Sequence, residues 1–599
     1  SVFGNDTYLK AYNAGKWIDW VDQLSGNNAS SQKYSLSVTG GSEKTKIYAS
    51  AAYTKDQGVL KNDNMEKFAV RLNIDQQLFS WAKIGFTSNL THSNRNQGVK
   101  NTFTKALTSF PLGDVYDSEG RIQHEYISNQ YTPLGDFIDN QYKNNTRGTY
   151  VNATGYLEIN PIDGLSLRTQ ISGNLYSSRL GQYWGKQANA NLPSYAAAPY
   201  ALKTHNDSYA YTWENILSYT KTIKDHTFGG TFITSWTKDV AESTMAGGAG
   251  YLVDSWGFNQ LASGANNRYI YSDYQQTQKM SYAIRLNYSY KGKYLVSFSN
   301  RWDGVSWFSE GHKWDSFASG ALAWRISEES FMESTKSWLN NLKLRVSYGV
   351  TGNAGGTGAY VTQTQAYLYP AWGVTREGNY VQFAQYTGTF AGSDLGWEKS
   401  YNWNVGLDFA VVDNRIDGSI EWFNTTTKGL LFKRQLPITS GITGWGSPLS
   451  SWQNLAETRN YGIEFTINSR NIQTKHFTWT TSLTGTWEKE RILSLPNGDL
   501  VGENLFEGSP IRSIYDYKYA GIWGTDTDKA TLDSYGVEPG FIKIETVEKV
   551  DKDGKSDGGV HKYSPDDRQI IGHKNPNWIL GLNNTLTFYG FDFTIYAMP

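Results

Sequence analysis

Along much of the chain, apolar and polar side chains alternate with a period of two residues, and this pattern restricts the fold more than any other feature. The apolar positions of residues 282–290 are Tyr282, Ile284, Leu286, Tyr288 and Tyr290. Since successive side chains of a strand point to opposite faces, such a segment has one apolar and one polar face. A helix would place Arg285 beside Tyr282 and Leu286, which interrupts any apolar stripe. We therefore predict β-strands, on the order of 18 of about 9–11 residues each.

The connections between these predicted strands are of two kinds. Short, turn-like links occur at residues 160–164, 290–294 and 412–415. Links of dozens of residues, rich in Gly, Asn, Ser and aromatic residues, occur at roughly 97–147, 177–211, 236–279, 351–400 and 427–459. Short turns at one end of a sheet and long loops at the other are typical of outer-membrane barrels. Soluble sandwiches show turns at a more even spacing, although alternation alone also fits a soluble sheet with one solvated face.

Charged residues of the clearest predicted strands occupy only the polar positions. They are Arg71, Lys83, Glu158, Arg168, Arg285, Lys343, Arg345, Asp408, Asp417, Glu421 and Glu464. An Arg or Lys on the apolar face at the middle of a bilayer would cost about 2–4 kcal/mol. Aromatic residues also collect toward strand ends, where the interfacial girdles of membrane barrels lie. The sequence therefore predicts an all-β protein, a large transmembrane antiparallel β-barrel.

Composition excludes several other classes of protein. The chain has 55 Lys and Arg against 56 Asp and Glu, so its net charge of -1 gives no long-range attraction for nucleic acid. It has no cysteine, which excludes a disulfide scaffold, a thiol nucleophile and a zinc site with Cys ligands. The eight histidines show no metal-binding spacing. We predict that the chain is not an enzyme, uses no cofactor and does not bind nucleic acid.

Five blocks of sequence occur in a defined order between residues 34 and 578. They are residues 34–48, 301–304 with 319–332, 341–353, 454–464, and 564–572 with 575–578. The last block reads Ser564-Pro-Asp-Asp-Arg-Gln-Ile-Ile-Gly572 and is followed by Asn575-Pro-Asn-Trp578. Together the blocks resemble the SusC/RagA-type family of TonB-linked outer-membrane transporters of the Bacteroidetes, and the resemblance covers nearly the whole chain.

This resemblance implies a barrel of about 22 strands in the full-length family, with an N-terminal plug folded inside it. It implies a location in the outer membrane of a Gram-negative cell and energised import of nutrients, with oligosaccharides expected first and oligopeptides as the other cargo. The partners it implies are TonB, outer-membrane lipid and a SusD-like surface lipoprotein that closes the extracellular mouth as a lid. The family also commonly pairs two transporters with two lids.

The chain departs from the family pattern at both ends. No plug-like region, TonB box or signal peptide precedes the first predicted strand, and residues 591–599 end within a predicted strand. Because unpaired strand edges are not tolerated in lipid, we expect residues 1–599 to be a partial barrel domain, with the plug and the closing strands outside this chain. Two alternatives stay open: a family member that serves as a structural scaffold in an outer-membrane complex, and a soluble carbohydrate-binding or carbohydrate-active all-β protein.

Four tryptophans in the predicted long loops are the candidate cargo-binding residues: Trp184, Trp256, Trp372 and Trp445. They lie among Gly, Asn, Ser and Tyr, a composition suited to stacking against sugar rings and to hydrogen bonding with hydroxyl groups. The alternative interpretation is that these rings pack within their loops or against the lid protein.

Asp551 and Asp553 are a weak candidate for a calcium site. Calcium loops place oxygen ligands at alternating positions around a glycine turn, and here Gly554 follows the two carboxylates. Lys552 and Lys555 interrupt the pattern, and the bidentate Glu of such loops is missing at the twelfth position. A solvated extracellular loop is therefore the preferred interpretation, and we predict no other metal site.

Overall fold

The computed structural model describes residues 5–25, 28–60, 62–98, 102–128, 130–189, 198–363, 366–374, 380–386, 389–392, 394–440 and 449–598. Within these ranges, eighteen strands form one large antiparallel sheet, and a nineteenth strand of two residues adds to it in parallel. The predicted number of long strands is confirmed. The chain divides into two compact units: unit one is residues 1–219 with 232–282, and unit two is residues 220–231 with 283–599.

Unit one contains three helices, the first eight strands and the larger parts of the next three. The elements are α1 (Asp6–Asn13), α2 (Trp20–Leu24), β1 (Ser30–Gly41), β2 (Thr45–Gln57), β3 (Asn64–Phe79), β4 (Ala82–Asn96), α3 (Thr102–Thr108), β5 (Glu125–Ile127), β6 (Gln130–Tyr131), β7 (Tyr142–Ile159), β8 (Leu165–Trp184), β9 (Tyr200–Ile223), β10 (His226–Ala249) and β11 (Asn266–Tyr290). Short 3₁₀ turns occur at Gly135–Phe137, Asp254–Asn259 and Leu261–Ser263.

Unit two contains the remaining strands and one helix. The elements are β12 (Tyr294–Val305), β13 (Trp314–Arg325), β14 (Leu339–Asn353), β15 (Ala366–Val374), β16 (Tyr380–Tyr386), β17 (Thr389–Phe390), β18 (Glu398–Val411), β19 (Ile416–Gln435), β20 (Ser450–Gln473), β21 (Phe477–Ser494), β22 (Ser513–Tyr517), β23 (Tyr519–Ile522), α4 (Lys529–Tyr535), β24 (Ile542–Ile544), β25 (Arg568–His573), β26 (Trp578–Phe588) and β27 (Phe591–Ala597). Its 3₁₀ turns are Ile326–Glu328, Ser330–Thr335, Ile438–Ser440, Val501–Glu503 and Pro565–Asp567.

In unit two the alternation produces an unbroken apolar row across eight strands. Residues that lie directly opposite one another from β12 to β26 are Val296, Leu322, Val346, Val405, Trp422, Ile463, Trp487 and Trp578. These side chains are not hidden by other parts of the unit, since Leu322 and Trp578 are both 60% exposed. One face of this sheet is therefore an exposed apolar surface, which we call the apolar face; the opposite one is the polar face.

Unit one also has an apolar face, and its strands show where that face ends toward the long loops. The row Leu36, Ala51, Val70, Leu90, Val151, Leu175 and Tyr209 crosses seven strands. Four residues along each strand toward the long loops, on the same face, lies a second row: Gln32, Lys55, Glu66, Asn94, Arg147, Arg179 and His205. This second row, which we call the border row, is polar at every position. The apolar surface ends below it.

On the polar face, residues of opposite charge pair across strands. In unit two the Arg345 guanidinium lies 3.0 Å from Asp408 and also bonds to Glu421, and Lys343 lies 3.3 Å from Asp408. In unit one Lys83 lies 3.8 Å from Glu158. These are residues that the alternation assigns to the polar face, so the registers agree with the predicted faces.

The short turns are where the sequence predicts them, but the strands are longer than predicted. The turn after β11 has Lys291 and Gly292 at positive φ (51° and 65°), the geometry favoured in two-residue turns of β-hairpins. Strands β9, β10 and β20 each have 24 residues, more than twice the length we expected. Their upper parts carry polar side chains on both faces, so alternation disappears there although the backbone ladder continues. The long loops are shorter as a result.

Loop regions of both units have hydrophobic clusters of their own. In unit one, Trp20 and Leu24 of α2 pack with Ala106, Leu112 and Tyr126. In unit two, Trp523, Leu532 and Val537 form a cluster within residues 495–577, a long loop that the sequence analysis did not identify. Among the described residues, no helix combines the length and the apolar character needed to cross a membrane.

Candidate functional site at the long-loop end

Trp184 belongs to a row of three aromatic rings on the polar face of unit one. It is the last residue of β8, and its register partners are Tyr142 on β7 and Tyr200 on β9. The Trp184 ring centroid lies 6.5 Å from that of Tyr142 and 5.5 Å from that of Tyr200. Because β8 pairs without a register shift, Trp184 shares the face of Arg168, which lies sixteen residues earlier. We call these three residues the aromatic row.

Trp256 lies on a segment that packs against the opposite face. It is in the turn Asp254–Asn259 and is 46% exposed. The Tyr183 hydroxyl donates to Asp254 Oδ1 at 2.5 Å, and a Cβ at Gly181 would lie 2.5 Å from the Phe258 ring. Tyr183 and Gly181 are odd-numbered positions of β8, which point away from Trp184. The structure therefore does not bring the two tryptophans together.

The other two predicted tryptophans cannot be placed in the same way. The backbone of Trp372 lies in strand β15, and its side chain is outside the described part of the structure. Trp445 lies outside the described residues. Their role in cargo binding stays a prediction.

Asp551 and Asp553 form a tight turn. Asp551 Oδ1 accepts hydrogen bonds from the backbone N–H of Asp553 at 3.0 Å and of Lys555 at 2.8 Å. In the described ranges, no group of three His, Cys, Asp or Glu side chains is placed to hold a metal ion. The calcium site therefore stays a prediction without support from this geometry.

A histidine between two carboxylates fastens the same loop, and the sequence analysis missed it. His561 Nδ1 lies 2.7 Å from Asp557 Oδ2, and Nε2 lies 2.8 Å from Asp567 Oδ1. Asp567 is fully buried and also accepts from the backbone N–H groups of Ser564 and Val547. Burial alone would raise the pKa of Asp567, but these hydrogen bonds outweigh it and hold the pKa below its usual range. The carboxylates that follow residue 550 in the sequence indicate a structured loop, but they do not identify His561 as a partner.

A cavity of about 540 Å³ lies on the polar face of unit two. Its polar lining includes Arg285, Asn287, Lys343, Arg345 and Asn404. Charged and amide groups without a nucleophile–base arrangement suit the binding of a polar surface rather than a chemical reaction.

Comparison with known proteins explains a sheet with one exposed apolar face, short turns at one end and long loops at the other. The sequence matches the family described as TonB dependent receptor-like, beta-barrel, over residues 80–537, which is more than half of the chain. The chain belongs to this family. The predicted outer-membrane β-barrel fold and outer-membrane location are thereby confirmed, and the match places the chain among receptors and transporters rather than enzymes.

Individual relatives show which members of the family the chain is similar to. TonB-dependent receptor P3 of Formosa agariphila is 30% identical over 98% of this chain and 59% of that protein. TonB-dependent receptor SusC of Bacteroides thetaiotaomicron is 28% identical over 80% of this chain and 49% of that protein. The structure of the RagAB peptide transporter aligns with a TM-score of 0.81 at 21% identity, covering 98% of this chain and 63% of that chain.

The SusC/RagA-type resemblance is therefore confirmed. The chain spans about half to three fifths of the length of the curated relatives it matches.

Proposed function

We propose that residues 1–599 are the barrel portion of an outer-membrane transporter that imports oligosaccharides by TonB-dependent active transport. Membership of the TonB-dependent receptor family supports import of nutrients. The observation that carries the cargo class is the aromatic row on the polar face at the long-loop end, where Tyr142, Trp184 and Tyr200 stand side by side. Aromatic rings presented with hydroxyl and amide groups suit stacking against sugar rings.

The partner at the long-loop end would be a surface lipoprotein of the SusD type that acts as a lid. Support comes from the paired strands β23 and β24, where Tyr519, Ile522 and Ile542 are 66%, 63% and 63% exposed. Clustered exposed apolar side chains mark interaction surfaces. TonB would act through a plug held against the polar face, and the cavity of unit two offers the polar lining for it.

The test is uptake by cells that carry the full-length gene product, with and without TonB. Accumulation of labelled oligosaccharide that depends on TonB is expected, whereas uptake that is equal without TonB would contradict active transport. Oligopeptides are assayed in parallel, since preferential uptake of peptide would overturn the proposed cargo class but not the transport. Normal uptake after deletion of the gene would instead favour a scaffold role.

A matched pair of tryptophan variants tests the aromatic row. Trp184→Ala is expected to weaken oligosaccharide binding by about 3- to 10-fold, the usual range for loss of one aromatic contact. Trp256→Ala, on the segment at the opposite face, is the control and is expected to leave binding unchanged. Equal losses in both variants would show that the aromatic row is not the binding surface.

A further inference from the structure

The border row of unit one lies where a membrane barrel meets the headgroups of the outer leaflet. Val151 and Leu175 of the apolar face are separated from Arg147 and Arg179 by four residues, or about 13 Å along each strand. The apolar face contacts hydrocarbon in an outer-membrane barrel, and the long loops lie on the extracellular side. Arg147 and Arg179 are therefore on the lipid-facing surface, just above the hydrocarbon.

Among the described residues, these two arginines have no carboxylate partner. They are direct neighbours across β7 and β8, and they repel each other. Like charges directly opposite destabilise a sheet. In the same unit Arg95 pairs with Asp63 and Arg168 pairs with Glu158, but in the part of the chain that the structure describes no carboxylate lies within 4.0 Å of either guanidinium.

The pair borders a cavity of about 460 Å³ with a basic and amide-rich lining. Besides the two arginines, its wall includes Asn64, Asn96, Lys143, Asn145 and Phe258. The Arg179 guanidinium donates to Asn145 Oδ1 and lies 5.1 Å from the Phe258 ring centroid, while its buried Nε has no hydrogen-bond partner. Lys143 Nζ donates to the Ser255 carbonyl oxygen at 3.2 Å, which brings a third positive charge to the wall.

An anion with several acceptor oxygens fits this wall. It would screen the repulsion between the two facing guanidinium groups and give Arg147 and the free Nε of Arg179 an acceptor. The oxygens of a phosphate match the fork of a guanidinium. At this position the anion most in reach is carried by a lipid, and basic pockets at membrane interfaces bind lipid headgroups. The amides would suit the sugar part of such a headgroup.

We propose that Arg147, Arg179 and Lys143 form a binding site for the phosphate group of an outer-leaflet glycolipid. Tyr142 of the aromatic row also lines this cavity, but the three cations are odd-numbered residues of β7 and β8 and so lie on the face opposite to the aromatic row. The site shares no residue with the cavity of unit two. It depends on the outer-membrane location of the chain and not on the cargo, so its failure would leave the transport proposal unaffected.

The experiment places the full-length protein in phosphatidylcholine nanodiscs with lipid A and measures bound glycolipid by native mass spectrometry. Wild-type protein is expected to bind phosphorylated lipid A and to bind the phosphatase-treated lipid at least about tenfold more weakly. Arg147→Gln with Arg179→Gln is expected to lose a similar factor. The charge-preserving double variant Arg147→Lys with Arg179→Lys, which keeps the sheet electrostatics but loses the fork, is expected to show an intermediate loss.

Lys55→Gln provides the matched control, because it removes a cation from the same row on β2. It is expected to bind lipid A as the wild type does. Equal binding of phosphorylated and dephosphorylated lipid, or an equal loss in the control, would overturn the proposal. Displacement of the lipid by inorganic phosphate at the same concentration would make this a free-anion site, and displacement by a sulfated oligosaccharide would assign it to cargo; either result would also overturn it.

Discussion

A single arginine introduced on either side of strand β20 tests the assignment of the two faces. Ile463 is 42% exposed in the middle of the apolar row, between Trp422 and Trp487. The next residue, Glu464, points to the polar face and lies opposite Glu421. The comparison is therefore Ile463→Arg against Glu464→Arg, which places the same side chain one position apart on opposite faces.

The expected cost of Ile463→Arg follows from its position. An arginine near the bilayer midplane costs about 2–4 kcal/mol, and contact with the two flanking indoles returns roughly 0.5–1 kcal/mol. The net loss of about 1–3.5 kcal/mol corresponds to a roughly 5- to 400-fold smaller folding equilibrium constant. Glu464→Arg replaces one of two carboxylates that face and repel each other, Glu464 and Glu421. We therefore expect the free energy of unfolding to change by no more than about 0.5 kcal/mol.

The assay is guanidinium unfolding of the full-length protein in phosphatidylcholine vesicles, followed by tryptophan fluorescence. Both variants are compared with the wild type at the same lipid ratio, and the denaturant dependence is checked to be unchanged. Equal destabilisation by the two substitutions would refute the reasoning, because it would mean that the two faces of β20 meet the same solvent.

Three further predictions concern the loops and the polar face. Asp567 has a pKa below its unfolded value, so its contribution to stability is present above about pH 4 and is lost as the pH falls further. Hydrogen exchange in residues 545–567 should therefore become faster below about pH 4, and Asp567→Asn should remove this pH dependence. Gly181→Val should displace the Phe258 ring, at a cost of about 1–3 kcal/mol, and limited proteolysis should cut residues 250–265 faster than in wild type. Arg345→Gln should leave the Asp408 and Glu421 carboxylates without their shared cation. Because all three groups are only partly buried, we expect the free energy of unfolding to fall by about 1–2 kcal/mol in the same vesicle assay. An unchanged free energy of unfolding would show that water screens this network.

The membrane-facing part of the fold could be predicted from sequence because lipid and water impose opposite demands on neighbouring residues. Ile284 and Arg285 are adjacent, and a strand with apolar surroundings on one face and water on the other accommodates both. The turn at Lys291 and Gly292 was predictable for a similar local reason. Beyond the border row the strands no longer separate lipid from water, and polar residues occur on both faces. Alternation therefore no longer indicates the strand there, and its true length was missed.

The candidate site was harder to predict because it depends on which face a residue occupies. Trp184 and Trp256 have similar surroundings in the sequence, and composition alone assigns them to one surface. One is instead on the polar face, and the other is in a turn held by Tyr183 on the opposite face. His561 bonds to Asp557 and Asp567, which are only four and six residues away, but this spacing matches no motif that the sequence analysis considered.

Strand β20 continues far past the length that a bilayer requires. Its 24 residues extend about 80 Å at roughly 3.3 Å per residue, whereas 9–11 residues suffice to cross. The excess is held by ladder hydrogen bonds from β19, so the loops begin on a stiff support well outside the lipid. Insertions or exchanges in those loops can therefore change the surface at the long-loop end without disturbing the membrane-embedded half of the strand.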